Sequence, residues 1–112
     1  MKFANFITYI SDPQKVQSVR PLHRDYAQGL AGEGKIVIAG PFSDGAGAII
    51  VYETESLEQA EALAANDPYA RGGVWTKYEI HPWDIIGINH ALLPDRANGK
   101  SSWRSPRNGV AC

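Results

Sequence analysis

The chain has one cysteine, Cys112, in 112 residues. A single thiol closes no internal disulfide and builds no cysteine-rich zinc cluster, so the fold must rest on its apolar core. Long apolar runs are missing too. The longest wholly apolar stretch, Ala48 to Tyr52, is far too short to span a bilayer. Asn5 and Thr8 interrupt the apolar run after Lys2 and no small-residue cleavage site follows, so a secretory signal is not expected. Charge of one sign is also lacking: 11 Lys and Arg face 12 Asp and Glu, a net of −1, which gives no basic field for nucleic acid. What is present fits a small cytoplasmic protein of one domain. With 44% apolar and 10% aromatic residues the chain can fold. A core this small would gain from surface buried by self-association.

The near-zero charge is a cancellation. Residues 1–94 carry seven Lys and Arg against eleven Asp and Glu, a net of −4. Residues 95–112 carry Arg96, Lys100, Arg104 and Arg107 against Asp95 alone, a net of +3. Such a polar tail is either a mobile solvated end or a basic arm for an acidic partner protomer. The chain is therefore divided into a domain at 1–83 and an extension at 84–112, with an apolar strip at 85–93 and a basic tail at 95–112.

Periodicity gives the elements in order. Lys2 to Ile10 alternates as a strand, with Phe3, Ile7 and Tyr9 on one face and Ala4, Phe6 and Ile10 on the other. Asp12-Pro13 is a helix start, a capping carboxylate before proline at the first helical position. Pro21 makes the stretch 13–32 either two short helices or one kinked helix. Leu22, Tyr26 and Leu30 form a stripe that should face the core. Lys35 to Ala39 is a second strand ended by Gly40-Pro41, and Gly47 to Thr54 a third. Ser56-Leu57-Glu58-Gln59 is a capping box opening a helix with Leu57, Ala60, Leu63 and Ala64 on its apolar face. Asp67-Pro68 starts one short turn closed by Gly72-Gly73. Val74 to Ile80 is a fourth strand, alternating Val, Thr, Tyr and Ile against Trp, Lys, Glu and His.

The order β-α-β-β-α-β predicts an α+β, ferredoxin-like fold: a four-stranded antiparallel sheet with helices on one face. Two helices cover only one face, yet both faces of the first three strands carry large apolar side chains. The bare face therefore predicts a homodimer with two sheets packed face to face. Alternatively residues 85–93 fold back over the sheet, within their own subunit or across the dimer.

Three histidines are the candidates for chemistry. His23 would sit at the start of the second helical piece, where the positive dipole end favours a neutral base, or else is merely half-buried. The predicted topology can bring it to Asp67, whose plainer role is a helix cap. A His–Asp pair fixes the imidazole tautomer and stabilises its protonated form. His81 reads as structural or interfacial and His90 as a packing residue. A metal site can be drawn through His81, Asp84 and His90, but its spacing fits no standard motif and no metal is expected. Gly40 to Gly47 matches neither phosphate-binding fingerprint, and no helix follows it. It reads as a rigid hairpin that could set Ser43 beside a pocket.

The run Asp12-Pro13, Arg20-Pro21-Leu22-His23-Arg24-Asp25-Tyr26, Ala39-Gly40-Pro41-Phe42, Ser56 to Ala62, Asn66-Asp67-Pro68-Tyr69 and Ile80-His81-Pro82-Trp83 resembles the YciI-like (YCII-related) family over roughly residues 1–83. The resemblance implies a dimeric α+β barrel of ferredoxin-like subunits. It also implies a pocket with a His–Asp pair, here His23 and Asp67, near Gly40 and Pro41. Relatives of this fold, among them muconolactone isomerase and a dehydrochlorinase of chlorinated hydroxyhydroquinone, imply proton transfer on small oxygenated rings without a cofactor. The reading is a lyase or isomerase in which His23 moves the proton and Asp67 orients it. Tyr26 or Ser43 would hold a substrate hydroxyl, and Arg20 or Arg71 an anionic oxygen. Loss of HCl from a chlorinated hydroxyhydroquinone in aromatic degradation is its most concrete form. The alternatives are a non-catalytic dimeric binding or accessory protein, and a cofactor-free monooxygenase of the same barrel architecture.

Overall fold

The structure, a computed structural model, describes residues 1–93, so the expectations for the basic tail fall outside the described residues. Seven elements follow in order: β1 (Lys2–Tyr9), α1 (Pro13–Gly32), β2 (Ile36–Pro41), β3 (Gly47–Glu53), α2 (Leu57–Ala65), α3 (Pro68–Arg71) and β4 (Trp75–Pro82). The strands form one sheet in the order β2-β3-β1-β4, antiparallel at every seam. This is the α+β arrangement that the element order predicts.

The helix starts are built as their residues dictate. Asp12 accepts from the Lys15 N–H with Pro13 in the first turn. Ser56 accepts from the Gln59 N–H, while the Gln59 amide oxygen reaches back to the N–H of Glu55 rather than to that of Ser56. The capping box thus closes one residue early, on the N–H that precedes the cap, and only the Gln59 N–H among the helix-start donors is satisfied by it.

Three expectations about the helices and strands need correction. First, α1 is one helix with Pro21 inside it, so His23 lies mid-helix rather than at a helix start and no dipole end acts on it. Second, its core face is Val16, His23, Ala27 and Leu30, whereas Leu22 is 62% exposed. An unbroken helix keeps the phase set at Val16, and steps of seven, four and three residues then put His23 inward. Third, the alternation of the last strand breaks at a bulge between Thr8 and Tyr9, which pairs Tyr9 with Trp75 and leaves Thr76 exposed. Trp75 thereby reaches the covered face and packs edge-on against Tyr78.

That covered face carries the core: Phe3 and Ile7 of β1, Ala48, Ile50 and Tyr52 of β3, with Val16, Leu30, Ala60, Ala64 and Tyr69 from the helices. The hairpin between β2 and β3 is closed by Phe42 N–H to Gly47 O and Gly45 N–H to Phe42 O, with Gly45 at φ +78°. Gly47 is required by close approach, since a Cβ there would overlap the Ile7 carbonyl oxygen. The opposite face presents Ala4, Phe6, Ile38, Ile49 and Val51 beside Lys77, Glu79 and His81. It is apolar over β1 and β3, as the alternation predicts, and no helix of the described residues covers it. The strip at 85–93 does not fold back over it within the subunit, for Ile86 is 95% and Leu92 81% exposed. His90 is exposed as well, against its expected packing role.

Candidate functional site

The helix layer meets the sheet at a seam between α1 and α3, and two charged-type side chains face each other there. His23 Nδ1 lies 2.8 Å from Asp67 Oδ1, with His23 at 0% and Asp67 at 2% exposure. Asp67 also caps α3, the same oxygen accepting the Tyr69 N–H at 2.8 Å. A carboxylate offers only acceptors, so Nδ1 carries a proton and donates it, and in the neutral imidazole the lone pair is then on Nε2. Nε2 is buried and has no hydrogen-bond partner among the described residues. An orphaned buried acceptor costs about 1–3 kcal/mol unless another group reaches it.

Tyr69 holds the ring from its face. Its phenol stacks on the imidazole with centroids 4.0 Å apart and 10° between planes, and Tyr9 of β1 meets Tyr69 edge-on at 5.6 Å. The step Asp67-Pro68-Tyr69 thus supplies both the acceptor for the imidazole edge and the surface for its face. The following turn fixes that step: Gly73 sits at φ +81°, and a Cβ on Gly72 would press Val19 of α1 and the Pro68 carbonyl. Histidine edge and face are both held, so the imidazole has one orientation.

Tyr26 lies one turn along α1. Its hydroxyl donates to the Leu63 carbonyl of α2 at 2.7 Å, and burial, reinforced by the Asp67 and Glu33 charges, pushes it up to about 12. Its proton is committed to a helix–helix cross-link, so only its lone pairs are left for a substrate hydroxyl. Arg20 of α1 is half-buried, and Arg71, at the end of α3, is exposed. Gly40 and Pro41 are the last residues of β2, paired with Ile49 and Ala48, so they lie in a strand rather than a turn. Ser43 is at the exposed hairpin tip. That tip is tied to the seam through Ala46, whose carbonyl accepts the Tyr9 N–H at 2.8 Å.

Several buried groups escaped the sequence reading. Tyr69 is the main one; its signal was an aromatic two residues after a capping aspartate. Asn5 is fully buried on the covered face, and its Oδ1, like the buried Nε1 of Trp75, has no hydrogen-bond partner among the described residues. The signal for Asn5 was a polar residue at an inward position of an apolar strand. Arg24 has Nε and Nη2 buried without partners among the described residues. No three His, Cys, Asp or Glu side chains among the described residues gather as a metal-holding group. No helix among them is long and apolar enough to cross a membrane.

Known proteins resemble this chain in sequence and in fold. The chain is 35% identical over 95 residues to Protein YciI of Escherichia coli O6:H1, covering 72% of this chain and 97% of that protein, and equally to its Shigella flexneri counterpart. The uncharacterized protein YjpA of Bacillus subtilis is 35% identical over 63 residues, covering 56% of this chain and 73% of that one. Among solved structures it resembles the 5-chloro-2-hydroxyhydroquinone dehydrochlorinase of Burkholderia phenoliruptrix, bound to 2,5-dihydroxybenzoquinone, with a TM-score of 0.67 and 21% identity over 75% of this chain and 94% of that one. Muconolactone isomerase follows with a TM-score of 0.57 and 19% identity over 80% and 99%. These two likenesses establish the shared fold. The YCII-related domain matches residues 1–84, and with that match beside the YciI relatives the chain belongs to the YCII-related family.

Proposed function

We propose that this protein is a lyase or isomerase that needs no cofactor and acts by proton transfer on a small oxygenated ring. The observation that carries the reading is His23 Nε2: a buried nitrogen with no partner among the described residues, on an imidazole whose other nitrogen is held by Asp67. That is the arrangement a general base requires, since the carboxylate fixes the tautomer and stabilises the imidazolium formed on proton uptake. Dehydrochlorination of a chlorinated hydroxyhydroquinone is the concrete form, prompted by what the Burkholderia enzyme of the same fold acts on. In that reaction one hydroxyl proton moves to the chlorine-bearing carbon. Loss of a second hydroxyl proton then expels chloride and leaves a hydroxybenzoquinone, with no outside oxidant. His23 would take and return these protons. Arg20 or Arg71 would face the ring's anionic oxygen and Tyr26 or Ser43 a hydroxyl, with Gly40 and Pro41 at the rim. The imidazole has no exposure in the single chain, so turnover requires the α1–α3 seam to part as substrate enters.

The working unit in this reading is a homodimer formed through the apolar sheet face, and residues 1–83 are its catalytic domain. The test is turnover of such a substrate by His23→Ala and Asp67→Asn. A loss of about 10²–10⁴-fold in both supports the reading.

One observation favours a second reading. A histidine with no exposure, stacked on Tyr69 and bonded to a helix cap, also serves as a structural cross-link between α1 and α3. The protein would then be a non-catalytic dimeric binding or accessory protein. Substitution at His23 would lower the melting temperature and leave ligand binding intact.

A further inference from the structure

Arg24 is half-buried on α1, and its Nε and Nη2 atoms are buried without a hydrogen-bond partner among the described residues. None of the ion pairs of the described residues includes it. Those two nitrogens lie along one edge of the planar guanidinium, where their N–H bonds run side by side. The group is a permanent cation, so an edge taken out of water with no acceptor in reach is costly. Its two donors match the spacing of the two oxygens of a carboxylate.

The helix supplies no counterion. The residues three and four positions from Arg24 are Arg20, Pro21, Ala27 and Gln28, none of them acidic. Asp25 is next in sequence, but it lies about 100° round the helix and is exposed. Arg20, half-buried one turn earlier on the same row, brings a second positive charge instead. Asp67 is engaged by His23 and by the Tyr69 N–H, and Glu33 by Lys35. Val19 meets the end of α3 at Gly72, and Tyr26 bonds to α2. At about 100° per residue, Arg24 stands about 140° from the first and about 160° from the second, so its row faces away from α2 and α3.

We propose that this flank of α1 binds a small organic acid, whose carboxylate takes both N–H groups of the Arg24 edge beside the added positive charge of Arg20. A flat carboxylate is satisfied by one such edge. A phosphate would need donors for its remaining oxygens as well, and the Arg24 edge supplies none. The site goes beyond the proton-transfer reading and does not depend on it, since Arg24 has no part in the His–Asp pair.

Isothermal titration calorimetry of the full chain tests it, with benzoate as the probe acid, benzyl alcohol as its uncharged counterpart and inorganic phosphate as the competing anion. The expected result is a benzoate dissociation constant at least about 10-fold higher in Arg24→Met, and also raised in Arg24→Lys, which keeps the charge but loses the paired edge. Benzyl alcohol should bind no better to the wild type than to either variant. Melting curves add a readout that a merely structural arginine would not move. Benzoate should raise the melting temperature of the wild type and leave that of Arg24→Met unchanged. Without ligand, Arg24→Met should melt no lower than the wild type, because an unpaired buried cation has been removed. Equal benzoate affinity in the wild type and Arg24→Met, or tighter binding of phosphate than of benzoate, overturns the proposal. So does a wild type that binds no benzoate, which would assign the edge to a carboxylate of this chain or of a second copy. A protein that binds benzoate through Arg24 yet turns over no hydroxyhydroquinone loses the proton-transfer reading and keeps this one.

Discussion

Asp67 makes two contacts through one oxygen, and that is why it cannot be replaced cheaply. Asp67→Ala strips the acceptor from the His23 Nδ1–H and from the Tyr69 N–H together, both buried. The expected cost is about 3 kcal/mol, read as a shift of the urea midpoint at unchanged slope. Tyr26 gives a pH signature. Its phenol is pushed from the ordinary 10.0 to about 12, so the fold favours the neutral form. The stability it contributes is complete below pH 10 and is lost as the pH rises towards 12. Thermal midpoints across that window should fall more steeply for the wild type than for Tyr26→Phe; equal slopes contradict the assignment. The pairing of His23 with Asp67 was legible in the sequence because element order puts α1 and the turn before β4 side by side. The stacking of Tyr69 was not, because it depends on side-chain direction two residues past a cap, which no periodicity reports.

Among the elements, the strands were legible to within two residues because alternation is forced by one buried face. The phase of α1 was not. Pro21 suggests a break, but the helix passes through it, and the register set at Val16 carries His23 inward. The bulge at Thr8/Tyr9 was equally hidden, since an inserted residue shifts the alternation without changing its appearance. Two substitutions probe the elements. Pro21 is exposed and has no N–H for the helix ladder, so Pro21→Ala should stabilise the protein by about 1–3 kcal/mol in denaturant unfolding. A destabilised variant would mean that the proline bends α1 to fit the sheet. Gly47→Ala should cost at least about 3 kcal/mol, because its Cβ would overlap the Ile7 carbonyl oxygen, which belongs to a central strand. Near-wild-type stability would mean that the β1–β3 seam yields.

At the scale of the whole molecule, one sheet does two jobs. Its covered face holds the core and carries the helices that build the His–Asp seam. Its open face is apolar over β1 and β3 with no helix of the described residues covering it, and that apolar character was readable from strands that are hydrophobic on both sides. If the partner is a second copy, unfolding is coupled to dissociation. The melting temperature should then climb by several degrees over about a hundredfold rise in protein concentration. A midpoint independent of concentration speaks for a monomer.

The claim that organises the rest is that His23, oriented by Asp67, moves protons on a small oxygenated ring. The most direct measurement is chloride release from a chlorinated hydroxyhydroquinone by the wild-type protein, by His23→Ala and by Asp67→Asn, each shown to be folded. The account predicts turnover by the wild type and a loss of about 10²–10⁴-fold in each variant. No release by the wild type, or equal release by all three, would contradict it.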